Sequence, residues 1–586
     1  MSEAAATPAP QIPSKPVMSV ADAHALMTSP GTPFEMGEAT IRGRKMRVWN
    51  AAKPSLRELF AMAKEHGDNE FVVFEDDRLT YREFHKAASA LAHTLKNDYG
   101  VQKGDRVAIA MRNFPEWPIA FFAGATIGAI MVPLNSWWTA EELEYGLEDS
   151  GTSLVFADHE RALAIAPFAK RLGIKSVIAA RAPANLPGGD TKIEHFADVL
   201  CPHADYASLP DQEPPVVELE PEDDATIMYT SGTTGRPKGA LGTQRNICGN
   251  VVGLGIAPVR QLLRYNQPLP DIANMPKKCM LISVPLFHAT GLHAILCGTL
   301  NAGNKLVMMF KWDPTRALEL IQREKINSFG GVPAMVWQVV EHPEFNQYDT
   351  SSIESIGYGG APAAPELVEK IKKLFPTSSA ANGYGLTETS AASSQNAGLE
   401  YMAKPESCGP AIPVCDVKVV DEQGNTLPTG EVGELWIYGP NVVKEYWNKP
   451  EATAETFIDG WLRSGDLARI DDEGFIYILD RAKDMLIRGG ENVYCVEVED
   501  TLYSHADVMD AAVIGIPHKV LGEEVGAVVQ VIPGSSVTEA ELQAFARQHI
   551  AAFKVPIKIE LRTEPLPRNA NGKILKRQLR EEWGIA

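Results

Sequence analysis

The sequence lacks the marks of a secreted, membrane-spanning or zinc-knuckle protein. Its seven cysteines are scattered over 586 residues without a CxxC pair, which argues against a disulfide framework and favours a reducing cytoplasm. The longest apolar run, from Pro118 to Leu134, is shorter than the roughly 20 residues that a membrane span needs, and it contains Gly124 and Gly128. We therefore expect no transmembrane segment there, but a buried helix that leads into a buried strand.

Basic residues are also fewer than acidic residues. The chain carries 55 lysines and arginines against 75 acidic residues, a formal net charge of −20. This balance argues against a general nucleic-acid binder, because phosphate contacts need clustered basic residues. Residues 1–16 are rich in alanine and proline and lack the apolar centre of a secretory signal. They predict an N-terminal tail.

The rest of the composition is that of an ordinary globular protein, in a chain too long for a single core, since cores stop growing at about 250–300 residues. Strands alternate with helices, which predicts a mainly parallel sheet with helices outside it. Between Pro413 and Ile478, short strands and turn sequences predict a small antiparallel β unit. Buried strands are expected at Arg106–Ala110, Ser153–Phe156, Lys175–Ile178 and Met280–Val284, and helices at Tyr81–Lys96, Thr315–Glu324 and Thr538–His549.

One segment carries a clear chemical signal, the run Thr230-Ser-Gly-Thr-Thr-Gly-Arg-Pro-Lys-Gly239. It places four hydroxyl residues, three glycines and two cations in ten positions, just after the strand-like Ala225–Tyr229. Glycines let backbone N–H groups close around an anion, the hydroxyls add donors, and Arg236 and Lys238 add positive charge. It does not match GxxxxGK[ST], the other common phosphate loop. The segment therefore predicts a polyphosphate site.

This run resembles the signature of the acyl-adenylate-forming superfamily, which includes acyl-CoA synthetases, adenylation domains and firefly luciferase. Seven further segments resemble motifs of that family and occur in its order, over roughly residues 55–580. The resemblance is greatest to fatty-acid–CoA ligases. The segments are Pro285-Leu-Phe-His-Ala-Thr-Gly291, Tyr358-Gly-Gly-Ala-Pro362, Asn382-Gly-Tyr-Gly-Leu-Thr-Glu-Thr389, Trp461-Leu-Arg-Ser-Gly-Asp466, Asp480-Arg-Ala-Lys-Asp484, Arg488-Gly-Gly-Glu-Asn492 and Pro567-Arg-Asn-Ala-Asn-Gly-Lys573.

The resemblance implies an α/β fold in two parts. A large N-terminal domain of several subdomains holds two α/β sheets and a small β-barrel, and a small, mobile α+β domain follows it. The implied boundaries are an N-terminal tail or extension at 1–50, the large adenylate-forming domain at 51–480, a hinge at 481–484 centred on Lys483, and the C-terminal domain at 485–586.

The resemblance also assigns the nucleotide contacts. Asp466 would accept hydrogen bonds from the ribose hydroxyls, as acidic residues do in other nucleotide sites, and Arg481 would add a ribose contact. Tyr384 offers a flat face to adenine. The full set expected to bind ATP or AMP is Thr230, Ser231, Gly232, Thr233, Thr234, Gly235, Lys238, Gly359, Gly360, Ala361, Pro362, Gly383, Tyr384, Gly385, Leu386, Asp466 and Arg481.

Four residues are expected to act on the reacting groups. Glu388 would bind Mg²⁺, which commonly takes one or two protein carboxylates together with phosphate oxygens. Thr387 would donate to the α-phosphate, and His288 would line the acyl pocket beside the reacting carboxylate. Lys573 would bridge that carboxylate and the α-phosphate, because a cation there offsets their repulsion.

The implied reaction is an AMP-forming acid–CoA ligation, in which ATP and a hydrophobic acid, most simply a medium- or long-chain fatty acid, give an acyl-adenylate that passes its acyl group to coenzyme A. Gly489 and Gly490 would leave room for the pantetheine arm. Two alternatives stay open: an acyl-AMP ligase that loads a separate carrier protein, and a non-catalytic nucleotide-binding relative. A homodimer is also left open.

Two features depart from the family pattern. Many relatives have a histidine where this chain has Gln244, within Thr243-Gln-Arg-Asn246; the glutamine can form hydrogen bonds but cannot carry a charge. The stretch from Ile247 to Met280 is long and holds Arg260, Arg264, Lys277 and Lys278. We interpret it as an inert surface loop or a contact between subunits, in preference to a lid.

Overall fold

The fold was analysed in a computed structural model. It describes residues 15–186, 191–230, 236–271, 275–359, 365–376, 378–489, 491–569 and 572–585.

The first large sheet confirms the expected mainly parallel arrangement. It has eight strands, parallel from β10 to β9 and antiparallel only where β11 and β20 add to one edge. The predicted strands at Arg106, Ser153 and Lys175 are β5, β7 and β8. In spatial order the strands are β20 (Glu445–Tyr446), β11 (Gly239–Thr243), β10 (Asp224–Tyr229), β6 (Ile130–Pro133), β5 (Arg106–Ala110), β7 (Leu154–Asp158), β8 (Val177–Ala180) and β9 (Ile193–His195).

The second large sheet is also mainly parallel, with one antiparallel strand at each edge. Segments that leave the carboxyl ends of its central strands meet along one edge, where α/β folds usually bind ligands. In spatial order its strands are β17 (Ser394–Ala397), β16 (Ser379–Tyr384), β15 (Ser355–Gly359), β14 (Ser328–Gly331), β12 (Cys279–Ile282), β13 (Lys305–Met308), β3 (Glu70–Phe74) and β4 (Asp77–Thr80).

The expected small β unit and the C-terminal α+β domain complete the chain. The β unit is a five-stranded antiparallel sheet of β18 (Asp416–Val420), β19 (Gly433–Tyr438), β22 (Trp461–Ile470), β21 (Phe457–Ile458) and β23 (Ile476–Arg481). The C-terminal sheet contains β25 (Glu491–Val493), β24 (Leu486–Arg488), β27 (Gly522–Val531), β26 (Val508–His518) and β28 (Lys558–Arg562).

Helices cover the sheets, and local sequence explains where several of them begin. Thr80 and Thr538 each form a capping box with the glutamate three positions later, which satisfies free N–H groups of the first turn. The helices are α1 (Val20–Met27), α2 (Leu56–His66), α3 (Tyr81–Asn97), α4 (Glu116–Thr126), α5 (Ala140–Ser150), α6 (His159–Ala169), α7 (Phe196–Val199), α8 (Gln244–Gly253), α9 (Ile256–Arg264), α10 (Cys297–Ala302), α11 (Pro314–Glu324), α12 (Pro333–Val340), α13 (Pro365–Leu374), α14 (Gly398–Ala403), α15 (Pro450–Thr456), α16 (Cys495–Tyr503), α17 (Glu539–His549) and α18 (Lys576–Glu582).

The longest apolar run, Pro118 to Leu134, forms the buried helix and buried strand that were expected. It becomes the fully buried helix α4 and then the buried strand β6. Within the described residues, no helix combines the length and the apolarity required to cross a bilayer.

Two segments are more ordered in the structure than their sequences suggested. Residues 1–14 lie outside the described part of the chain, but helix α1 and the hairpin β1 (Met36–Ile41) and β2 (Arg44–Trp49) belong to the folded body, so residues 20–49 form a folded extension and not a tail. Nor is 247–280 an inert surface loop: it contains α8, α9 and the start of β12, and both Arg260 and Arg264 are buried. Each bonds to the buried Glu400.

Candidate active site

In the sequence, the predicted polyphosphate run connects β10 to β11, two antiparallel strands near one edge of the first sheet. The N–H group of Thr230 donates to the carbonyl of Lys238 at 2.9 Å, which closes the base of the loop. A Cβ atom on Gly239 would lie 2.5 Å from Ile227 Cγ2, so a side chain there would have to displace the buried Ile227 side chain of the neighbouring strand. Ser231, Gly232, Thr233, Thr234 and Gly235 lie outside the described residues, and their contacts to phosphate stay a prediction.

Tyr446 joins the phosphate run to Glu388. Its hydroxyl donates to Glu388 Oε1 at 2.6 Å, while the Lys238 amine lies 5.0 Å from the centre of its ring. Burial, reinforced by the Glu388 charge, raises the pKa of Tyr446, so its hydroxyl stays a neutral donor. Strand β20, which carries Tyr446, pairs with β11 immediately after the run. The structure thus brings the predicted metal ligand close to the predicted phosphate site.

Tyr384, Asp466 and Arg481 form a second contact group. The Tyr384 hydroxyl donates to Asp466 Oδ2 at 2.6 Å, and Arg481 Nε lies 3.5 Å from Asp466 Oδ1. Asp466 and Arg481 face each other as a cross-strand pair of β22 and β23. Burial raises the pKa of Asp466, and the neighbouring guanidinium opposes that shift. The three side chains form a charged, hydrogen-bonded group where the sequence predicts the ribose.

The glycines of the predicted adenine segments are required by close backbone contacts. A Cβ atom on Gly359 would lie 2.5 Å from the carbonyl oxygen of Gly383, and one on Gly385 would lie 1.5 Å from that of Ala391. Leu386 starts the turn that holds Thr387 and Glu388, and its N–H group donates to Thr389 Oγ1 at 2.8 Å. Gly360, Ala361 and Pro362 lie outside the described residues.

Lys573 belongs to the C-terminal domain and is partly buried where its loop approaches the large domain. Its N–H group donates to Asn569 Oδ1 at 2.9 Å, and a Cβ atom on the preceding Gly572 would lie 2.5 Å from Val332 Cγ2. Burial and the nearby Arg481 lower the pKa of Lys573 to about 8, while Asp484 and Asp466 oppose the shift. The lysine therefore lies within electrostatic range of Asp466 and Arg481.

His288 and Lys483 are two further predicted site residues whose pKa values are lowered. The protein around His288 lowers its pKa to about 4, so the imidazole is neutral at physiological pH. Burial and Arg481 lower the pKa of Lys483, and Lys238 adds to this shift, so the predicted hinge residue lies within electrostatic range of the phosphate run.

Comparison with known families decides what this arrangement represents. The AMP-binding enzyme family matches residues 59–447, and the C-terminal domain of AMP-binding enzymes matches residues 497–573. The chain belongs to the AMP-binding enzyme family. Lys573 is the last residue of the second match, and the contact group of Asp466 and Arg481 lies between the two matched segments.

Relatives of this AMP-binding enzyme include acid–CoA ligases of different substrate classes. A feruloyl-CoA synthase from Amycolatopsis sp is 35% identical over 506 residues, which is 86% of this chain and 94% of the relative. A long-chain-fatty-acid–CoA ligase from Bacillus subtilis (strain 168) is 35% identical over 532 residues, 88% and 92% of the two chains. ATP-bound MatB from Rhodopseudomonas palustris superposes with a TM-score of 0.77 at 29% identity, covering 90% of this chain and 99% of MatB. This enzyme is thus an acid–CoA ligase by class, with ATP and CoA as its fitting substrates.

Two residues of this AMP-binding enzyme have roles that the sequence did not reveal. Tyr446 was missed because a tyrosine in a two-residue strand carries no local signal, and only the pairing of β20 with β11 brings it to Glu388. Gln244, at the departure from the family pattern, is fully buried, and its Oε1 accepts from the Leu56 N–H group at 2.9 Å. It therefore supports the first turn of α2.

The predicted CoA contact is not brought to the nucleotide site. Gly489 lies in the turn between β24 and β25, and its N–H group donates to the carbonyl of Leu521 at 2.8 Å, inside the C-terminal domain. Gly490 lies outside the described residues. Their contact with pantetheine remains a prediction.

Proposed function

We propose that this enzyme joins a hydrophobic carboxylic acid to coenzyme A in two steps. A carboxylate oxygen of the acid attacks the α-phosphorus of ATP, the bond to the β-phosphate breaks, and pyrophosphate leaves. The sulfur of CoA then attacks the carbonyl carbon, the acyl–oxygen bond breaks, and AMP leaves. The observation that carries this proposal is that Lys573, from the C-terminal domain, is partly buried and lies within electrostatic range of Asp466 and Arg481.

The proposed residue roles follow from charge and position. Lys573 offsets the repulsion between the carboxylate and the α-phosphate, and the group of Tyr384, Asp466 and Arg481 holds the ribose. The phosphate run and Lys238 hold the pyrophosphate end, and Thr387 donates to the α-phosphate. Neutral His288 lines the acid side, because a neutral imidazole can contact a carboxylate without pairing with its charge.

Mg²⁺ fits the arrangement around Glu388. Tyr446 occupies one carboxylate oxygen, Oε1, and one protein carboxylate plus phosphate oxygens is the donor set that Mg²⁺ commonly takes. We propose Glu388 as the protein ligand. The ion would neutralise charge on the departing pyrophosphate.

We propose a medium- or long-chain fatty acid as the first substrate class to test, with aryl acids second. Support comes from relatives of both kinds at equal identity, the long-chain-fatty-acid–CoA ligase and the feruloyl-CoA synthase. The apolar residues Leu292 and Leu296, which follow His288 and are fully buried, also favour a hydrophobic acid.

The domain boundaries complete the proposal. We propose a large domain at 51–480, a hinge at 481–484 and a C-terminal domain at 485–586 that withdraws Lys573 after the first step and brings Gly489 and Gly490 to the thiol. Hinge rotation of a small domain is an established way to separate two steps.

The test is a panel of fatty and aryl acids with ATP, Mg²⁺ and CoA. We expect acyl-CoA, AMP and pyrophosphate in equal amounts with at least one hydrophobic acid, and none without acid. AMP formation without a thioester, across the whole panel, would exclude CoA as the acceptor.

A carrier protein is the second candidate acceptor. It is favoured by one relative, the fatty acid–[acyl-carrier-protein] ligase ScoC of Streptomyces coeruleorubidus, which is 32% identical over 540 residues. Rates with free CoA and with a phosphopantetheinylated carrier protein, measured on the same acid, discriminate between the two.

A further inference from the structure

Arg568 is a charged residue of the Lys573 loop that the proposed reaction does not use. Its guanidinium donates from Nη1 to the carbonyl of Gly572 and from Nη2 to Oδ2 of Asp510, which is buried. A guanidinium presents several donors in one rigid plane, so a single arginine can hold two acceptors at once. Arg568 therefore joins the peptide group before Lys573 to a buried carboxylate.

The peptide group between Gly572 and Lys573 is held on both sides. Arg568 binds its carbonyl oxygen, and its N–H group, which belongs to Lys573, donates to Asn569 Oδ1 at 2.9 Å. A peptide group is planar, so bonds on its two opposite sides restrict how the plane can tilt. Because the Cα atom of Lys573 lies in that plane, the same bonds restrict the direction in which its side chain leaves the loop.

The loop needs this restraint because of its glycine. Gly572 has a φ angle of 74°, in the left-handed region that glycine enters readily. Glycine also has access to more backbone conformations than any other residue, so by itself it would leave the next peptide group free to reorient. The backbone bonds from the Asn569 N–H group to the Lys573 carbonyl, at 2.8 Å, and from the Gly572 N–H group to the Asn569 carbonyl, at 2.9 Å, close the turn. The bond to the Gly572 carbonyl comes from Arg568.

The arginine is in turn anchored in the core of the C-terminal domain. Asp510 lies on β26, and its Oδ1 accepts from the Tyr503 hydroxyl and, at 2.9 Å, from the Ala511 N–H group. Tyr503 ends α16 and packs against the hydrophobic core of that domain. Burial and the Asp510 charge raise the pKa of Tyr503, so its hydroxyl stays a neutral donor. We name Tyr503, Asp510 and Arg568 the arginine anchor, which connects α16 to the Lys573 loop.

The anchored loop faces the large domain. Arg568, Asn569 and Gly572 line one side of a cavity, and Pro285 and Val332 of the large domain line another. A reorientation of the loop would therefore change how the lysine approaches the large domain, where ATP and the acid are proposed to bind.

We propose that Arg568 is a positioning residue for adenylate formation. Held by Asp510, it fixes the peptide group before Lys573 and so directs the amine towards the reacting carboxylate and the α-phosphate. This rests on the proposed function, which assigns Lys573 to the first step. The arginine anchor lies within the C-terminal domain and moves with it, so it has no part in the second step, from which Lys573 has withdrawn.

The test is Arg568→Lys, which keeps a positive charge beside Asp510. An ammonium is a point charge without the planar fork of a guanidinium, so it should keep the ion pair and release the Gly572 carbonyl. We expect kcat for acid-dependent pyrophosphate release to fall by about tenfold or more, since a misplacement of about 1 Å can cost a hundredfold. KM for ATP and the rate of thioester formation from supplied acyl-AMP should stay within about threefold of the wild-type values.

A second variant and a control frame this result. Asn569→Ala removes the other bond to the same peptide group and leaves the ion pair intact, so it should give the same pattern. Arg562→Lys is the matched control and should keep the wild-type kcat. Arg562 lies in the same domain and is 20% exposed against 23% for Arg568, but its partners are Glu560 and Glu582.

A double variant separates positioning from folding. In Lys573→Ala there is no amine left to direct, so adding Arg568→Lys should cause no further loss of pyrophosphate release, which makes the two effects non-additive. Additive losses, equal losses in both steps, or a wild-type kcat in Arg568→Lys would each overturn the proposal. Absence of adenylate formation by the wild-type enzyme with every acid would instead contradict the proposed function.

Discussion

The proposed chemistry depends mainly on individual charged side chains, and above all on Lys573. This lysine comes from the C-terminal domain and is partly buried, within electrostatic range of Asp466 and Arg481. A partly buried cation of this kind stabilises charge that develops in the transition state, because water screens it less than at the surface. Transfer of the acyl group to CoA does not need this cation, because the negative charge of the departing AMP is already solvated or bound.

Removal of the Lys573 charge should therefore affect the two steps differently. We expect Lys573→Ala to reduce adenylate formation by about a hundredfold or more, while thioester formation from supplied acyl-AMP stays near the wild-type rate. The measurement is pyrophosphate release for the first step and acyl-CoA formation for the second. Similar losses of rate in adenylate formation and in thioester formation would contradict the role assigned to Lys573.

The lowered pKa of Lys573 gives a pH dependence with a definite sign. The amine is charged below its pKa of about 8 and neutral above it. Because kcat/KM reports the free enzyme, kcat/KM for ATP in adenylate formation should fall as the pH rises through about 8. In Lys573→Arg this descending limb should disappear, since a guanidinium stays protonated. A limb that persists unchanged in Lys573→Arg would assign the ionisation to another group.

At the scale of elements, the strands were predictable and the packing of α8 and α9 was not. Runs such as Arg106–Ala110 and the segment before Phe156 are apolar and β-branched, and they became β5 and β7 within a few residues. The segment 247–280 contains charged residues four positions apart, Arg260 and Arg264, which alone indicate a solvated face. Their shared partner, Glu400, lies more than a hundred positions away, so no local pattern could reveal that both are buried.

Some site residues can be recognised from local sequence, and others only from the folded structure. The glycines, Glu388, Asp466 and Lys573 stand in motifs that sequence alone makes visible. Tyr446 contacts Glu388, a neighbour that only the folded chain supplies.

The buried ion group of Glu400 should contribute strongly to stability. Glu400→Gln leaves the buried Arg260 guanidinium without its carboxylate partner and Arg264 with the half-exposed Glu473, and breaking a buried pair from one side costs about 3–5 kcal/mol. We expect a loss of that size in the free energy of unfolding, measured with denaturant. Glu473→Gln is the matched control: Glu473 also bonds Arg264, but its side chain is 45% exposed, so the loss should stay below about 1 kcal/mol. Equal small losses would contradict the buried network.

At the scale of the whole molecule, the proposed reaction needs two arrangements of the domains. In the first, Lys573 lies near the ATP that the large domain binds; in the second, Lys573 has moved away from the acyl-AMP. We expect Lys483→Pro, which fixes φ near −65° at the proposed hinge, to keep adenylate formation and to slow thioester formation from acyl-AMP by about tenfold or more. Lys483→Ala is the control, because it removes the same side chain without restricting the backbone. Full thioester activity in Lys483→Pro would place the hinge elsewhere.

The central claim is that this AMP-binding enzyme activates its acid by transfer to the α-phosphate of ATP. The most direct test is acid-dependent exchange of labelled pyrophosphate into ATP without CoA, with the nucleotide products identified once CoA is added. We predict exchange only when a hydrophobic acid is present, followed by AMP and acyl-CoA in equal amounts. ADP and inorganic phosphate as products, or exchange that does not depend on the acid, would contradict the account.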